Sequence, residues 1–160
     1  MTIKVGDTLP EATFMEMTDD GPAPRSIDDV FAGKTVALFA VPGAYTPTCS
    51  AKHLPGFVDK KDELKAKGVD DVVCTSVNDV FVMDAWGGSS GAGDAVRMLA
   101  DGNGAFAAAL GLEMDATGFG MGKRSQRYSM IVEDKVVKEL NVEEGGNFEV
   151  SSADYMLNQL

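Results

Sequence analysis

The stretch that most constrains this chain is the apolar run Val36-Ala37-Leu38-Phe39-Ala40-Val41, followed at once by Pro42-Gly43-Ala44-Tyr45-Thr46-Pro47-Thr48-Cys49. An unbroken apolar run of this length reads as a strand buried on both faces, so a layer must cover each side of its sheet. Pro42-Gly43 ends the strand. Thr46 then reads as a helix N-cap with Pro47 at the first helical position, where no backbone donor is lost. Counted from there, Cys49 is the third helical residue. Its sulfur is expected to face N–H groups without intrahelical partners, at the positive end of the helix dipole, where a thiolate is favoured over a thiol.

The rest of the chain alternates strands and helices around that unit. Residues 1–35 carry short turns (Asp19-Asp20-Gly21-Pro22, Ala32-Gly33-Lys34) and predict small edge strands and loops. A core strand over 35–41 leads into a helix from Thr46 to Lys67, kinked at Pro55 and closed by Gly68. Val69 to Val77 is a second strand, and Asn78 caps a helix over Asp79 to Trp86. Gly87 to Gly93 reads as a loop, Arg97 to Ala100 as a core strand, and Asn103 to Leu110 as a helix stopped by Gly111. A Gly-rich loop covers 113–125. Strands 128–132 and 136–141 flank the turn Glu133-Asp134-Lys135 as a hairpin. Ser151 or Ser152 caps a last helix ending at Leu160, with Asp154 completing a capping box with Ser151. The pattern is that of an α/β fold, one domain over 1–160, with a mixed β-sheet flanked by helices.

Charge and cysteine usage narrow the chemistry. A net charge of -11 argues against nucleic acid or an anionic membrane as partner, since phosphates are repelled. No apolar stretch is long enough to span a bilayer, and Met1 to Asp7 lacks the apolar core of a secretory signal. Two cysteines, Cys49 and Cys74, form neither a C-x-x-C pair nor, with the single His53, a usual structural zinc set. So low a cysteine density suits a reducing compartment: the cytoplasm, or an organelle matrix if a transit peptide has been removed. Gly118 to Lys123 lacks the spacing of a phosphate loop. The methionines read as core filler.

The segment Pro42 to Cys49 fits the pattern Pro-x-x-x-Thr-x-x-Cys and resembles the peroxiredoxins, specifically their type II (atypical, "five") branch. The resemblance extends through Lys52-His53-Leu54-Pro55-Gly56-Phe57, Ser76-Val77-Asn78-Asp79, Phe81-Val82-Met83, Trp86-Gly87, Leu99-Ala100-Asp101-Gly102 and Arg124 to Met130. It implies a thioredoxin-like fold and a thiol peroxidase without cofactor. In that assignment Cys49 attacks the peroxide and becomes a sulfenic acid. Thr46 hydrogen-bonds thiolate and peroxide, Pro42 shields the sulfur, and Arg127 is brought in from a distance. A homodimer is implied too, with Thr48, Phe81 and Trp86 at its interface. Some members carry a resolving cysteine in the region of Phe148 to Ser151. This chain has none there, which leaves an outside thiol, or Cys74 after substantial rearrangement, to resolve the sulfenic acid. The expected route is an external reductant, glutathione with glutaredoxin or else thioredoxin.

Several residues admit a second reading. Arg124 and Arg127 would by themselves pass for solvated charges, Phe81 and Trp86 for core aromatics, and Cys74 for an inert core cysteine. His53, four residues after Cys49, either tunes the thiolate or is a packed, hydrogen-bonded histidine. A thiol–disulfide oxidoreductase and a non-enzymatic peroxide sensor remain as alternatives. Ionisation alone does not separate them. A thiol of pKa near 8.5 is about 3% ionised at neutral pH, and a drop to about 6 raises that only about thirtyfold. A fast peroxidase also needs donors aimed at the departing oxygen.

Overall fold

In a computed structural model, residues 2–160 are described; Met1, part of the N-terminal reading, lies outside the described residues. Nine strands are β1 (Thr13–Thr18), β2 (Gly21–Ser26), β3 (Thr35–Ala40), β4 (Asp71–Ser76), β5 (Arg97–Ala100), β6 (Glu113–Asp115), β7 (Lys123–Ser125), β8 (Tyr128–Glu133) and β9 (Val136–Val142). Six helices are α1 (Ile27–Phe31), α2 (Leu54–Asp59), α3 (Lys61–Ala66), α4 (Val80–Ser89), α5 (Ala105–Leu110) and α6 (Ala153–Leu157). The main sheet has seven strands in the order β2-β1-β5-β4-β3-β8-β9. β3, β4 and β5 run parallel at its centre, and antiparallel neighbours close both sides. This is a mixed, thioredoxin-like sheet.

β3 is buried on both faces, as its apolar run requires. Val36, Leu38 and Ala40 join Val30 and Phe31 of α1 and Phe106 and Leu110 of α5 in one core cluster. Ala37 and Phe39 point the other way, into a cluster with Leu54, Phe57, Leu64, Met83, Trp86 and Met156 from the helices on the opposite side. Every one of these side chains is essentially inaccessible to water, so β3 cannot shift by one residue without exchanging its two cores. The sheet edge behaves differently. Pro22 and Pro24 sit in β2, an edge strand that pairs on one side only, which is where a sheet tolerates proline.

Several boundaries differ from the sequence reading. The long helix is three pieces: a wide turn over Cys49–His53, then α2, then α3 beyond Lys60. Pro55 stands in the first turn of α2, immediately after the wide turn in which Leu54 N reaches back to Cys49 O. The expected distortion thus falls just before the proline, where the helix widens. Asp79, not Asn78, caps α4 by accepting from Val82 N. α4 also runs on through Gly87, because a Cβ there would stand 2.6 Å from Met98 Cγ and glycine alone lets helix and β5 approach so closely. α5 starts at Ala105, anchored by the buried Asp101 carboxylate on the N–H groups of Phe106 and Ala107. Residues 113–125 form the small β6–β7 hairpin with a single helical turn at Thr117–Phe119, too short for a periodic signal. α1, which begins with a Ser26–Asp29 capping box, was not anticipated. Ser152 caps α6 by accepting from Tyr155 N, and the helix stops at Leu157. The Ser151–Asp154 box therefore does not form; Ser151 bonds elsewhere.

Candidate active site

The Cys49 turn is fixed from both sides. Beyond β3, Val41 N bonds Thr75 O at 3.2 Å, keeping the chain in register with β4 up to the break at Pro42. Asn78 Oδ1 accepts from Ala44 N at 2.9 Å and from the Ser76 hydroxyl at 2.7 Å, so the residue expected to cap α4 instead pins this loop. Tyr45 turns the chain with a positive φ of 64°. Ser50 N bonds Thr46 O at 2.9 Å, making Thr46 the last residue before the helix and Cys49 its third residue, as predicted. Thr46 Oγ1 does not accept from the helix. It donates to Gly43 O at 2.7 Å, which leaves its lone pairs available to a donor in the adjoining pocket.

The side chains then converge. Arg127, in the residue before β8, donates from Nη2 to Cys49 Sγ at 3.0 Å and from Nη1 to His53 Nδ1 at 2.9 Å. A guanidinium can only donate, so Nδ1 is the acceptor and the proton sits on Nε2, which donates to Ser151 O at 2.9 Å. Burial first, and the Arg127 charge second, lower the His53 pKa to about 3. The imidazole is therefore neutral at ordinary pH. It neither takes up a proton nor offers a positive charge to the sulfur; it orients the arginine. Of the two readings of His53, the packed and hydrogen-bonded one fits, and the ring also contacts Phe39, Phe57 and Phe148. The donor to the sulfur is Arg127. Among the described residues no backbone N–H bonds Sγ, so the donors expected from the helix start are supplied by a side chain instead.

A pocket of about 700 Å³ opens over this cluster. Pro42, Thr46 and Arg127 line it together with the apolar Met114, Phe119 and Met121 and the polar Glu113, Gln126 and Glu143. Cys49 is fully buried. Arg124 is elsewhere engaged, bonding the carbonyls of Met121 and Val77 at 2.9 and 3.0 Å, and it clips the β6–β7 hairpin to the body of the protein. Cys74 is buried in β4, paired in register with Phe39. Burial above all, then the nearby Cys49, push its thiol well above the usual range, so it stays protonated. Trp86 is fully buried, its indole N–H bonding Ser50 Oγ at 3.0 Å, so it is a core aromatic and not a surface contact. Phe81 is 64% exposed.

A thioredoxin-like sheet carrying a cysteine at the start of a helix, with an arginine at hydrogen-bond distance from the sulfur, defines a redoxin-type thiol enzyme. A family model described as Redoxin matches residues 4–157. The chain is 53% identical to Peroxiredoxin-2E-2, chloroplastic, of Oryza sativa subsp. japonica, over 99% of this chain and 73% of that one. It is 48% identical to Peroxiredoxin-2B of Arabidopsis thaliana, over 99% and 98% of the two chains. Among solved structures, reduced Prx3 from Vibrio vulnificus in complex with hydrogen peroxide superposes with a TM-score of 0.95 at 53% identity, over 99% of each chain. The chain belongs to the redoxin family, as a type II peroxiredoxin. It is accordingly a thiol peroxidase, an oxidoreductase.

Proposed function

We propose that Cys49 is the peroxidatic nucleophile and that an external thiol regenerates it. The observation that carries this reading is the Arg127 guanidinium, which lines the pocket and stands 3.0 Å from the buried Sγ. The Cys49 thiolate attacks the terminal oxygen of a hydroperoxide. The S–O bond forms as the O–O bond breaks, and the departing oxygen takes a proton and leaves as water or an alcohol. Cys49 is left as a sulfenic acid. Arg127 supplies fixed positive charge where negative charge builds on the departing oxygen, beside a sulfur that is itself buried. The Thr46 hydroxyl, committed to Gly43 O, accepts from the peroxide O–H. Pro42 keeps water from the sulfur. The Met114, Phe119 and Met121 side of the pocket suits the organic part of an alkyl hydroperoxide as well as hydrogen peroxide, which the Vibrio vulnificus relative is described as binding.

The sulfenic acid then meets a thiol from outside. The sequence has no cysteine at 148–151, and Cys74 is buried and protonated, hence a poor nucleophile. A reductant thiol attacks the sulfenic sulfur, releases water and forms a mixed disulfide, which a second thiol reduces. Glutathione with glutaredoxin, or thioredoxin, fits this role. The exposed Phe81 and half-buried Thr48 are candidate contacts of a homodimer. The cytoplasm and an organelle stroma or matrix are both consistent locations, the rice relative being named chloroplastic.

The test is steady-state consumption of hydrogen peroxide with each reductant in turn, for the wild type, Cys49→Ser and Cys74→Ser. Many turnovers lost only in Cys49→Ser are expected. Consumption of a single equivalent under either reductant would favour a sensor. No consumption by the reduced wild type would overturn the peroxidase reading.

A further inference from the structure

Glu143 follows the last residue of β9, is only 6% exposed, and lines the pocket beside Arg127 without a role in the steps above. Its Oε2 accepts from the backbone N–H groups of Glu149, Val150 and Ser151 at 2.8, 2.9 and 2.8 Å, and from the Ser151 hydroxyl at 2.5 Å. Three successive amides turned toward one oxygen make an anion-binding nest, and this one is filled by the protein's own carboxylate. The turn they belong to presents Ser151 O to His53 Nε2. The main chain of Glu143 meanwhile bonds Arg127 directly, its N–H to Arg127 O at 2.9 Å. A closed circuit results: Glu143 to Ser151, Ser151 to His53, His53 to Arg127, and Arg127 back to Glu143.

We infer that Glu143 is a positioning residue for the peroxide reaction proposed above, fixing the 149–151 turn so that Ser151 and His53 aim the Arg127 guanidinium at Cys49. The argument rests on that reading of Arg127 and on how few anchors the guanidinium has. Nη1 is oriented by a neutral imidazole, and the imidazole is oriented by one carbonyl of an otherwise irregular segment. Nothing in that segment's own regular structure fixes the carbonyl: 149–152 precedes α6 without helical or sheet bonding of its own. The carboxylate supplies that fixation, since a buried charge holds donors more firmly than a neutral acceptor and leaves them unsatisfied when removed. In Glu143→Gln an amide N–H₂ group or a neutral oxygen faces the same donors, the turn rearranges, and His53 loses its acceptor.

The experiment compares two reactions of Cys49 in the reduced, full-length protein. One is oxidation by hydrogen peroxide, followed by stopped-flow fluorescence of Trp86, whose indole bonds Ser50 beside Cys49. The other is alkylation by iodoacetamide, which has no departing oxygen for Arg127 to stabilise. Glu143→Gln is expected to slow oxidation about tenfold or more while changing alkylation less than about threefold, because a lost donor in a preorganised site costs about 10²–10³ and a misaimed one costs part of that. Glu143→Gln combined with Arg127→Met should be no slower toward peroxide than Arg127→Met alone. Glu143→Asp, which keeps the charge but withdraws it by one methylene, should give the same pattern at smaller amplitude and serves if Glu143→Gln does not fold. The ¹⁵N shifts of His53, the only histidine, should report loss of its fixed Nε2–H tautomer in either variant. Wild-type selectivity with an unchanged His53 tautomer, equal losses in both reactions, or additive effects with Arg127→Met would overturn the inference. A wild type that is alkylated at Cys49 yet inert to peroxide would overturn the peroxidase reading, and this inference with it.

Discussion

His53 should make the protein acid-sensitive in a way one substitution isolates. In the folded protein its imidazole accepts a proton only near pH 3, because burial and the Arg127 charge both oppose the cation. In an unfolded chain a histidine does so near pH about 6.5. Below that value the unfolded state takes up a proton that the folded state refuses. The stability is thus complete above pH about 6.5 and drains away as pH falls toward about 3, with a slope of about 1.4 kcal/mol per unit for one proton. Between pH about 6.5 and pH about 4 this amounts to about 3 kcal/mol, a large share of the about 5–15 kcal/mol that holds most domains folded. His53→Asn keeps an acceptor near the Nδ1 position but cannot titrate. Carboxylates contribute in both directions: Asp101 is raised by burial, while Glu16 is held low by Arg97 and Arg25 despite its own burial. Both are common to the two proteins and cancel in the difference. Urea unfolding followed by Trp86 fluorescence across this pH range should show the wild type losing about 3 kcal/mol more than His53→Asn. Parallel stability curves would refute the argument and mean that water reaches the ring in the folded state.

Arg127→Met should lower the rate of Cys49 oxidation by about 10²–10³, the usual cost of one lost donor in a preorganised site, as read by stopped-flow peroxide reaction of the reduced protein. The neighbouring glycines of α4 should respond in opposite senses in thermal unfolding. Gly87→Ala should cost about 1–3 kcal/mol because its Cβ meets Met98 Cγ at 2.6 Å, whereas Gly88→Ala, with open space around it, should gain about 0.5–1 kcal/mol from helix propensity.

The parts of this molecule legible in its sequence are those where a local pattern and its physical cause lie within a few residues. The two-faced burial of β3 is written in the five apolar side chains Val36 to Ala40, and the helix start after it in Thr46-Pro47, so the position of Cys49 follows by counting. The β8–β9 hairpin is likewise local, its turn made by Asp134 and Lys135 at positive φ. For two of the expected caps, the deciding contact lay outside the local pattern. Asn78 is a good cap by type, yet its carbonyl oxygen is taken by Ala44 N, thirty-four residues away, and Asp79 caps in its place. Ser151 is a good cap for the same reason, yet Glu143 claims its hydroxyl.

The same distinction explains why the side chains of the candidate site could be anticipated and their support could not. Cys49 and Thr46 belong to one turn, and Arg127 was reached through a family resemblance. Nothing local marks the basic turn 124–127 as the source of a guanidinium 3.0 Å from a sulfur seventy-eight positions earlier. Glu143 left no signal at all: in sequence it is one of two adjacent glutamates in an acidic chain, indistinguishable from the exposed Glu144 beside it. Only the fold separates them, by turning three amides of a later segment onto one carboxylate oxygen. A single sequence records which side chains are available for chemistry. Which of several equivalent charges is drawn inward to hold the others is set by the convergence of β8, β9 and the turn before α6, and that convergence is a property of the folded chain.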